Sequence, residues 1–433
     1  MPPALSLILK ISMPVLLLSA GFYAFSRETT SVEYDSGITP STTPLLATSS
    51  LPLTNSDGTP KQPEIVVTHL ATPSPLHGAY MTSCIASGKK LRKPLVNLVD
   101  ETELNALIID IKDYTGMVSF KTGDERFVLN TNGCVIPDIK EFIAELHQKH
   151  IYVIGRVTVM QDSTFTKLHP DAAVKRKSNG ETWRDKKGLS FIDPGASEYW
   201  QYMVDLGKAS HAVGFDEINY DYIRYPSDGD MSDAKYTRSA STTKPEMMKK
   251  FYTYLGKGMH QAGIPISADL FGMTTTNIDD LGIGQILENA LPNFDYVAPM
   301  VYPSHFPPHY NGWNDPNMVP YQLIKFTMSK AVVRANELEA KEAGFVKSTS
   351  TPTFDPTGKY ANRLRPWLQD FDYGKVYTEE DVQAQIKGTY DSGLDSWMMW
   401  DPSNKYTPSA YKDAVVLPLP KAAHATSSAS IVP

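Results

Sequence analysis

From about residue 77 to residue 414, short runs of β-branched and aromatic residues alternate with longer segments of helical period. The short runs are residues 78–82, 106–112, 152–159, 213–221, 265–270, 296–302, 363–369 and 396–400, and each predicts a strand. The longer segments predict helices. After Pro137, apolar residues recur at helical spacing as Ile139, Phe142, Ile143 and Leu146. Residues 197–212, 245–263 and 321–343 read the same way. Thr378 and Asp381 form a capping box for a last helix that closes near Gly393. Eight β/α units in sequence predict a (β/α)8 TIM barrel with enlarged loops. An open doubly wound sheet is the rival. Its nucleotide-binding version needs a Gly-x-Gly-x-x-Gly turn, which follows none of the strands.

The flanks differ in kind. Residues 11–25 form an apolar run, with Lys10 before it and Arg27 after it, so residues 1–28 predict a signal peptide or a membrane anchor. More than half of residues 29–63 are Ser, Thr or Pro. Such a stretch buries too little apolar surface to offset its ordering entropy, so 29–75 predicts a disordered linker. The barrel is expected over 76–416, and a disordered tail over 417–433. This layout predicts an extracytoplasmic protein, secreted or membrane-anchored. In that compartment Cys84 and Cys134, the only cysteines, form a candidate disulfide; the alternative is two small buried residues. A net charge of −7 without a basic stripe argues against nucleic acid. The sequence leaves the oligomeric state open.

Candidate chemistry concentrates at the strand ends. Along Val213 to Pro226, Phe215, Glu217, Asn219 and Asp221 share one strand face. Carboxylates on so apolar a strand are costly to bury unpaired. The second strand ends on Asp110 and Lys112, the fifth on Asp269, the sixth on Tyr302 and His305, and the eighth on Trp400 and Asp401. In a β/α barrel these ends converge on one face, where chemistry is found. No His-Glu-x-x-His, no Cys/His ligand spacing and no Gly-x-Ser-x-Gly elbow occurs, so neither a metal nor a cofactor is expected. Asp221 and Asp269 on consecutive strands suit the two carboxyls of glycoside hydrolysis.

Several blocks carry a resemblance. Gly214-Phe-Asp-Glu-Ile-Asn-Tyr-Asp-Tyr-Ile-Arg-Tyr-Pro226 resembles the signature of a glycoside hydrolase family first catalogued as a domain of unknown function. Asp110-Ile-Lys-Asp113, Met300-Val-Tyr-Pro-Ser-His305, Arg365-Pro-Trp-Leu-Gln-Asp370 and Trp397-Met-Met-Trp-Asp401 resemble its other blocks in order, over about residues 76–414. The resemblance implies a TIM barrel and hydrolysis of glycosidic bonds. More distantly, Asp216-Glu-Ile-Asn-Tyr-Asp221 is similar to the fourth strand of α-amylase-type barrels, where the corresponding Asp is the nucleophile. That strand, with Met300-Val-Tyr302 and Trp400, is also similar to chitinase-type barrels, but the chitinase acid Glu would fall on Ile223. The amylase acid Glu is expected after the fifth strand, where this chain has Asp269.

The expected function is hydrolysis of a cell-surface or environmental polysaccharide or oligosaccharide. Asp221 is the expected nucleophile or general base, and Asp269 the general acid. Asp110 and Lys112 are expected to orient substrate or tune those acids, and Arg224 to hold Asp221 ionised. Tyr302 and Trp400 would form a sugar platform, with Glu217, His305 and Asp401 in support. The alternative is a degenerate barrel that binds carbohydrate or serves as a structural envelope protein without turnover.

Overall fold

Eight parallel strands close on themselves in sequence order. They are β1 (His77–Met81), β2 (Ala106–Lys112), β3 (Tyr152–Thr158), β4 (Glu217–Asp221), β5 (Ile266–Phe271), β6 (Tyr296–Met300), β7 (Trp367–Gln369) and β8 (Trp397–Trp400). The protein is described by a computed structural model over residues 65–345 and 354–412. Each predicted strand overlaps an observed one. Between the strands lie α1 (Lys89–Asp100), α2 (Ile139–Gln148), α3 (Ser197–His211), α4 (Lys244–His260), α5 (Leu287–Ala290), α6 (Pro320–Glu342) and α7 (Glu379–Tyr390). The fold is the expected (β/α)8 barrel. The periodicity missed α1, whose helix holds Pro94 and buries Arg92 beside Leu95, Val96 and Val99, and α5, which is a single turn.

Strand burial explains the near-continuous apolar runs. A parallel barrel strand is covered on both faces, by helices outside and by facing strands inside. Leu107, Ile109, Val153, Ile218, Tyr220, Ala268 and Leu270 point outward into the core beneath the helices. Tyr80, Ile108, Tyr152, Ile154, Ala298, Trp367 and Met398 fill the barrel interior. The same parity carries Asp110, Arg156, Glu217, Asn219, Asp221 and Asp269 inward, where each polar group needs a partner.

The N-terminal face of the barrel is held by Asp216, immediately before β4. One of its carboxylate oxygens accepts the Leu70 N–H at 2.7 Å; the other accepts the Val153 N–H at 2.8 Å and bonds His147 Nε2 at 2.9 Å. Thr72 Oγ1 adds a bond to the Tyr152 hydroxyl at 2.9 Å. Residues 65–75 therefore belong to the folded unit, which corrects the expected linker boundary. The alternation of polar and apolar residues there was too short to read as structure. The expected anchor, the linker up to residue 64 and the tail lie outside the described residues. Among the described residues, no helix is long and apolar enough to cross a membrane.

On the opposite face, the loops after β3 and β4 are long and pair through a two-stranded antiparallel ribbon, Lys175–Arg176 with Ala234–Lys235. Cys84, in the helical turn after β1, is joined by a disulfide to Cys134 in the loop after β2, across 50 residues.

Candidate active site

Three inward positions of β4 lie at three depths. Glu217 is deepest and fully buried; its carboxylate is paired with the Arg365 guanidinium, which also donates through Nη1 at 3.3 Å. Asn219 lies above it, and its side-chain N–H donates to Asp269 Oδ1 at 2.9 Å and to Ser267 Oγ at 3.1 Å. Asp221 ends the strand and reaches the pocket. Its Oδ1 accepts the Tyr222 backbone N–H at 2.5 Å, and its Oδ2 accepts Arg156 Nη2 at 2.5 Å. Tyr222 has a φ of 53°, a left-handed conformation that a bulky aromatic residue rarely adopts. Such backbones persist where surrounding structure enforces them, commonly at functional sites.

Arg156, on β3, is the central cation, and the sequence reading missed it. Its Nη1 donates to Asp110 Oδ1 at 2.7 Å while Nη2 serves Asp221, so one guanidinium bridges two carboxylates. Asp110 also accepts the Tyr80 hydroxyl at 2.5 Å. Asp110 thus acts on the pocket through Arg156. The expected role of Arg224 is corrected: its Nη1 donates to the Tyr225 carbonyl at 3.0 Å and to Ser227 Oγ at 3.2 Å, and Asp221 is not its partner. The turn at Tyr222 redirects the chain, so spacing along a straight strand misassigned the pair. A lone arginine in an otherwise apolar strand was the available signal for Arg156.

Asp269 has a different environment. It is 1% exposed and accepts two N–H bonds on Oδ1, from Asn219 and from Trp367 Nε1 at 2.7 Å. Burial, with the negative charge of Asp221 second, pushes its pKa up from 3.8 to about 8 against the opposing pull of Arg156. A shift in this direction favours the protonated carboxyl at neutral pH. Asp221 and Asp269 lie on neighbouring strands, one step beyond the aligned pair Tyr220 and Ala268.

Both carboxyls open into a pocket of about 380 Å³. Arg156, Tyr302, His305 and Trp400 line it together with apolar residues that include Phe271 and Met300. Trp400 stacks on Tyr80 with ring centroids 3.8 Å apart and meets Trp367 edge-on at 5.5 Å. Tyr302 is braced edge-on by His305 at 5.4 Å and by Phe371 at 5.6 Å. Burial lowers the His305 pKa, which favours the neutral imidazole.

Four expected site residues do not line the pocket: Asp110, which bonds Arg156, and three others. Lys112 follows a β-bulge: Asp110 pairs with Arg156, but Lys112 pairs with Val157, so the extra residue reverses its side. Its Nζ instead meets Asp162 at 2.9 Å in a fully buried ion pair beneath α3. Glu217 is consumed by Arg365 at the bottom of the barrel. Asp401 accepts the Ser403 backbone N–H at 2.5 Å and caps the turn after β8. Ile223, where a chitinase-type acid would fall, is fully buried in the apolar core. Among the described residues, no three His, Cys, Asp or Glu side chains gather as a metal site.

No curated protein sequence matches this chain. Among solved structures, a hypothetical protein from Ruminiclostridium thermocellum ATCC 27405 is 27% identical, over 47% of this chain and 98% of that one, with a TM-score of 0.40. The PgaB (BpsB) glycoside hydrolase domain from Bordetella bronchiseptica shares the fold at 11% identity, with a TM-score of 0.52, over 78% of this chain and 99% of that one. A chitinase from Chromobacterium violaceum ATCC 12472 aligns with a TM-score of 0.44 at 12% identity, over 78% of this chain and 96% of that one. Residues 78–406, which include residues of all eight strands and both carboxyls, match the family described as "Putative glycosyl hydrolase domain", and the chain belongs to that family of glycoside hydrolases.

Proposed function

We propose that the protein hydrolyses a polysaccharide or oligosaccharide with retention of configuration, using Asp269 as general acid and base and Asp221 as nucleophile. The observation that carries this reading is the contrast between two carboxyls on adjacent strands. Asp221 is held by a guanidinium and a backbone N–H, whereas Asp269 is buried and pushed up to about 8. Environments that separate two carboxyls in this way suit one acid and one base. Neighbouring parallel strands are about 4.8 Å apart. Carboxyls from adjacent strands at matched register are compatible with the close pair of a retaining enzyme, about 5–5.5 Å, as distinct from the wider pair that leaves room for water.

In the first step the proton on Asp269 passes to the glycosidic oxygen as the bond from that oxygen to the anomeric carbon breaks. Asp221 bonds to the anomeric carbon from the opposite side. In the second step Asp269, now a carboxylate, takes a proton from water. The hydroxide so formed bonds to the anomeric carbon, and Asp221 leaves as the carboxylate. Arg156 stabilises Asp221 whenever it is ionised, and Asp110 fixes Arg156. Trp400 and Tyr302 offer ring faces and edges to a sugar.

We further infer an extracytoplasmic location and a cell-surface or environmental substrate. The apolar run 11–25 supports export or anchoring, and the Cys84–Cys134 disulfide suits an oxidising compartment. The test is incubation with a panel of bacterial, fungal and plant polysaccharides, assayed for new reducing ends. Proton NMR then reads the first-formed anomer. Release with retained configuration is expected; release with inversion overturns the nucleophile assignment, and no release from any member overturns the polysaccharide reading.

A further inference from the structure

Beside the catalytic pocket lies a second cavity of about 400 Å³, built by the loops after β2, β3 and β4. Tyr222 and Arg224 line both cavities and form the ridge between them. Arg224 is 9% exposed, and its guanidinium sits 4.9 Å from the Tyr222 ring centroid and 4.7 Å from that of Phe271. The other buried arginines among the described residues all have carboxylates. Arg92 pairs with Asp138, Arg156 with Asp110 and Asp221, Arg334 with Glu288, and Arg365 with Glu217. Among the described residues no carboxylate lies within ion-pairing distance of Arg224. Only its Nη1 is hydrogen-bonded, which leaves Nε and Nη2 to open onto the cavities.

The acids of the second cavity are already satisfied. Asp185 Oδ1 accepts the Lys187 and Leu189 backbone N–H groups at 2.9 Å each, and Oδ2 accepts Gln161 at 3.0 Å. Asp228 pairs with Lys186 at 3.1 Å. Lys187 lines the cavity as well, and none of the described carboxylates pairs with it. The charges of Asp221, Asp185 and Asp228 act on Arg224 through space without forming an ion pair with it, and its planar fork matches a carboxylate bidentately.

We infer that the second cavity is a subsite for an anionic sugar, a hexuronate whose carboxylate docks on Arg224 with Lys187 nearby. This inference rests on the glycoside hydrolase reading, because it extends that substrate from the catalytic pocket across the Tyr222 and Arg224 ridge. A neutral sugar would leave the guanidinium without a directly bonded anion. An ester sulfate presents oxyanions too, but it lacks the planar match.

The test measures binding without turnover. Asp221→Asn protein is titrated calorimetrically at neutral pH with oligoglucuronate, oligogalacturonate and glucuronoxylan oligosaccharides. Their carboxyl-reduced counterparts and sulfated neutral oligosaccharides serve as comparison. At least one hexuronate is expected to bind tenfold or more tighter than its reduced counterpart, and more tightly than any sulfated ligand. Adding Arg224→Gln should bring the acidic and reduced forms within about threefold of each other, while Lys187→Gln, at an exposed site, should weaken only the acidic form by about two- to fivefold. Thermal melts establish that each variant is folded; if Arg224→Gln is not, the Lys187→Gln result decides. Equal binding of acidic and reduced forms overturns the inference while leaving the hydrolase reading intact. Tighter binding of the sulfated ligands overturns the hexuronate assignment, and binding of none overturns the subsite.

Discussion

Replacing Asp269 by Asn substitutes a permanently neutral side chain for one that must be charged at high pH. The asparagine oxygen can still accept the N–H bonds of Asn219 and Trp367, and its amide stands where the carboxyl proton would be. In the unfolded chain Asp269 titrates near 3.8; in the fold, near 8. A carboxyl raised by folding contributes stability that is complete below the lower value and lost as pH rises through the higher one. At about 1.4 kcal/mol per pKa step, roughly 2 kcal/mol is gone by pH 5 and roughly 6 by pH 9. Asn has no such loss, and groups that do not interact with Asp269 cancel in the comparison; Asp221, whose charge acts on Asp269, does not. The stability of Asp269→Asn relative to the parent should therefore rise by roughly 4 kcal/mol from pH 5 to pH 9, with relaxation of the interior reducing this to no less than about 2. Urea unfolding at both pH values reads the difference, and the parent kcat/KM should fall on an alkaline limb near pH 8. A relative stability that is the same at pH 5 and pH 9 would show that Asp269 is ionised at neutral pH, and the general-acid assignment would fall.

Three further outcomes are expected. Arg156→Gln leaves Asp110 and Asp221 buried without their shared cation and should cost about 3–5 kcal/mol in urea unfolding; a cost below about 1 kcal/mol would remove Arg156 from the centre of the site. The Cys84→Ser, Cys134→Ser double variant frees a 50-residue loop and should lose about 4 kcal/mol on the loop-entropy scale, with no further loss on adding reductant; equal stability before and after would show that the bond is not formed in solution. Trp400→Ala should raise KM about tenfold, near 1.4 kcal/mol, with kcat within about threefold, as expected for a sugar platform rather than a reacting group; an unchanged KM would contradict the platform.

The barrel was legible because buried parallel strands read as apolar runs and the helices between them as periodic stripes. The acids Asp221 and Asp269 were legible for the same reason, as charges interrupting apolar strands at their ends. What the sequence concealed were partners set by geometry. A one-residue bulge sent Lys112 to Asp162, and a left-handed Tyr222 separated Arg224 from Asp221. Glu217 and Arg365 are 148 residues apart, a pairing that only the closed barrel creates. Arg156 was visible as a lone charge, but its two partners come from different strands, and no local pattern names them. Residues 65–75 read as linker because their anchor, Asp216, lies far along the chain.

In the proposed reaction Asp221 attacks the anomeric carbon. The most direct measurement of this step is rescue of Asp221→Gly by azide, using a panel of α- and β-linked 2,4-dinitrophenyl glycosides and hexuronides. The parent is expected to turn over at least one member, the folded variant to lose at least about a thousandfold in kcat, and azide to restore release with formation of a glycosyl azide of inverted configuration. A folded Asp221→Gly protein that retains full turnover without azide would contradict this role of Asp221.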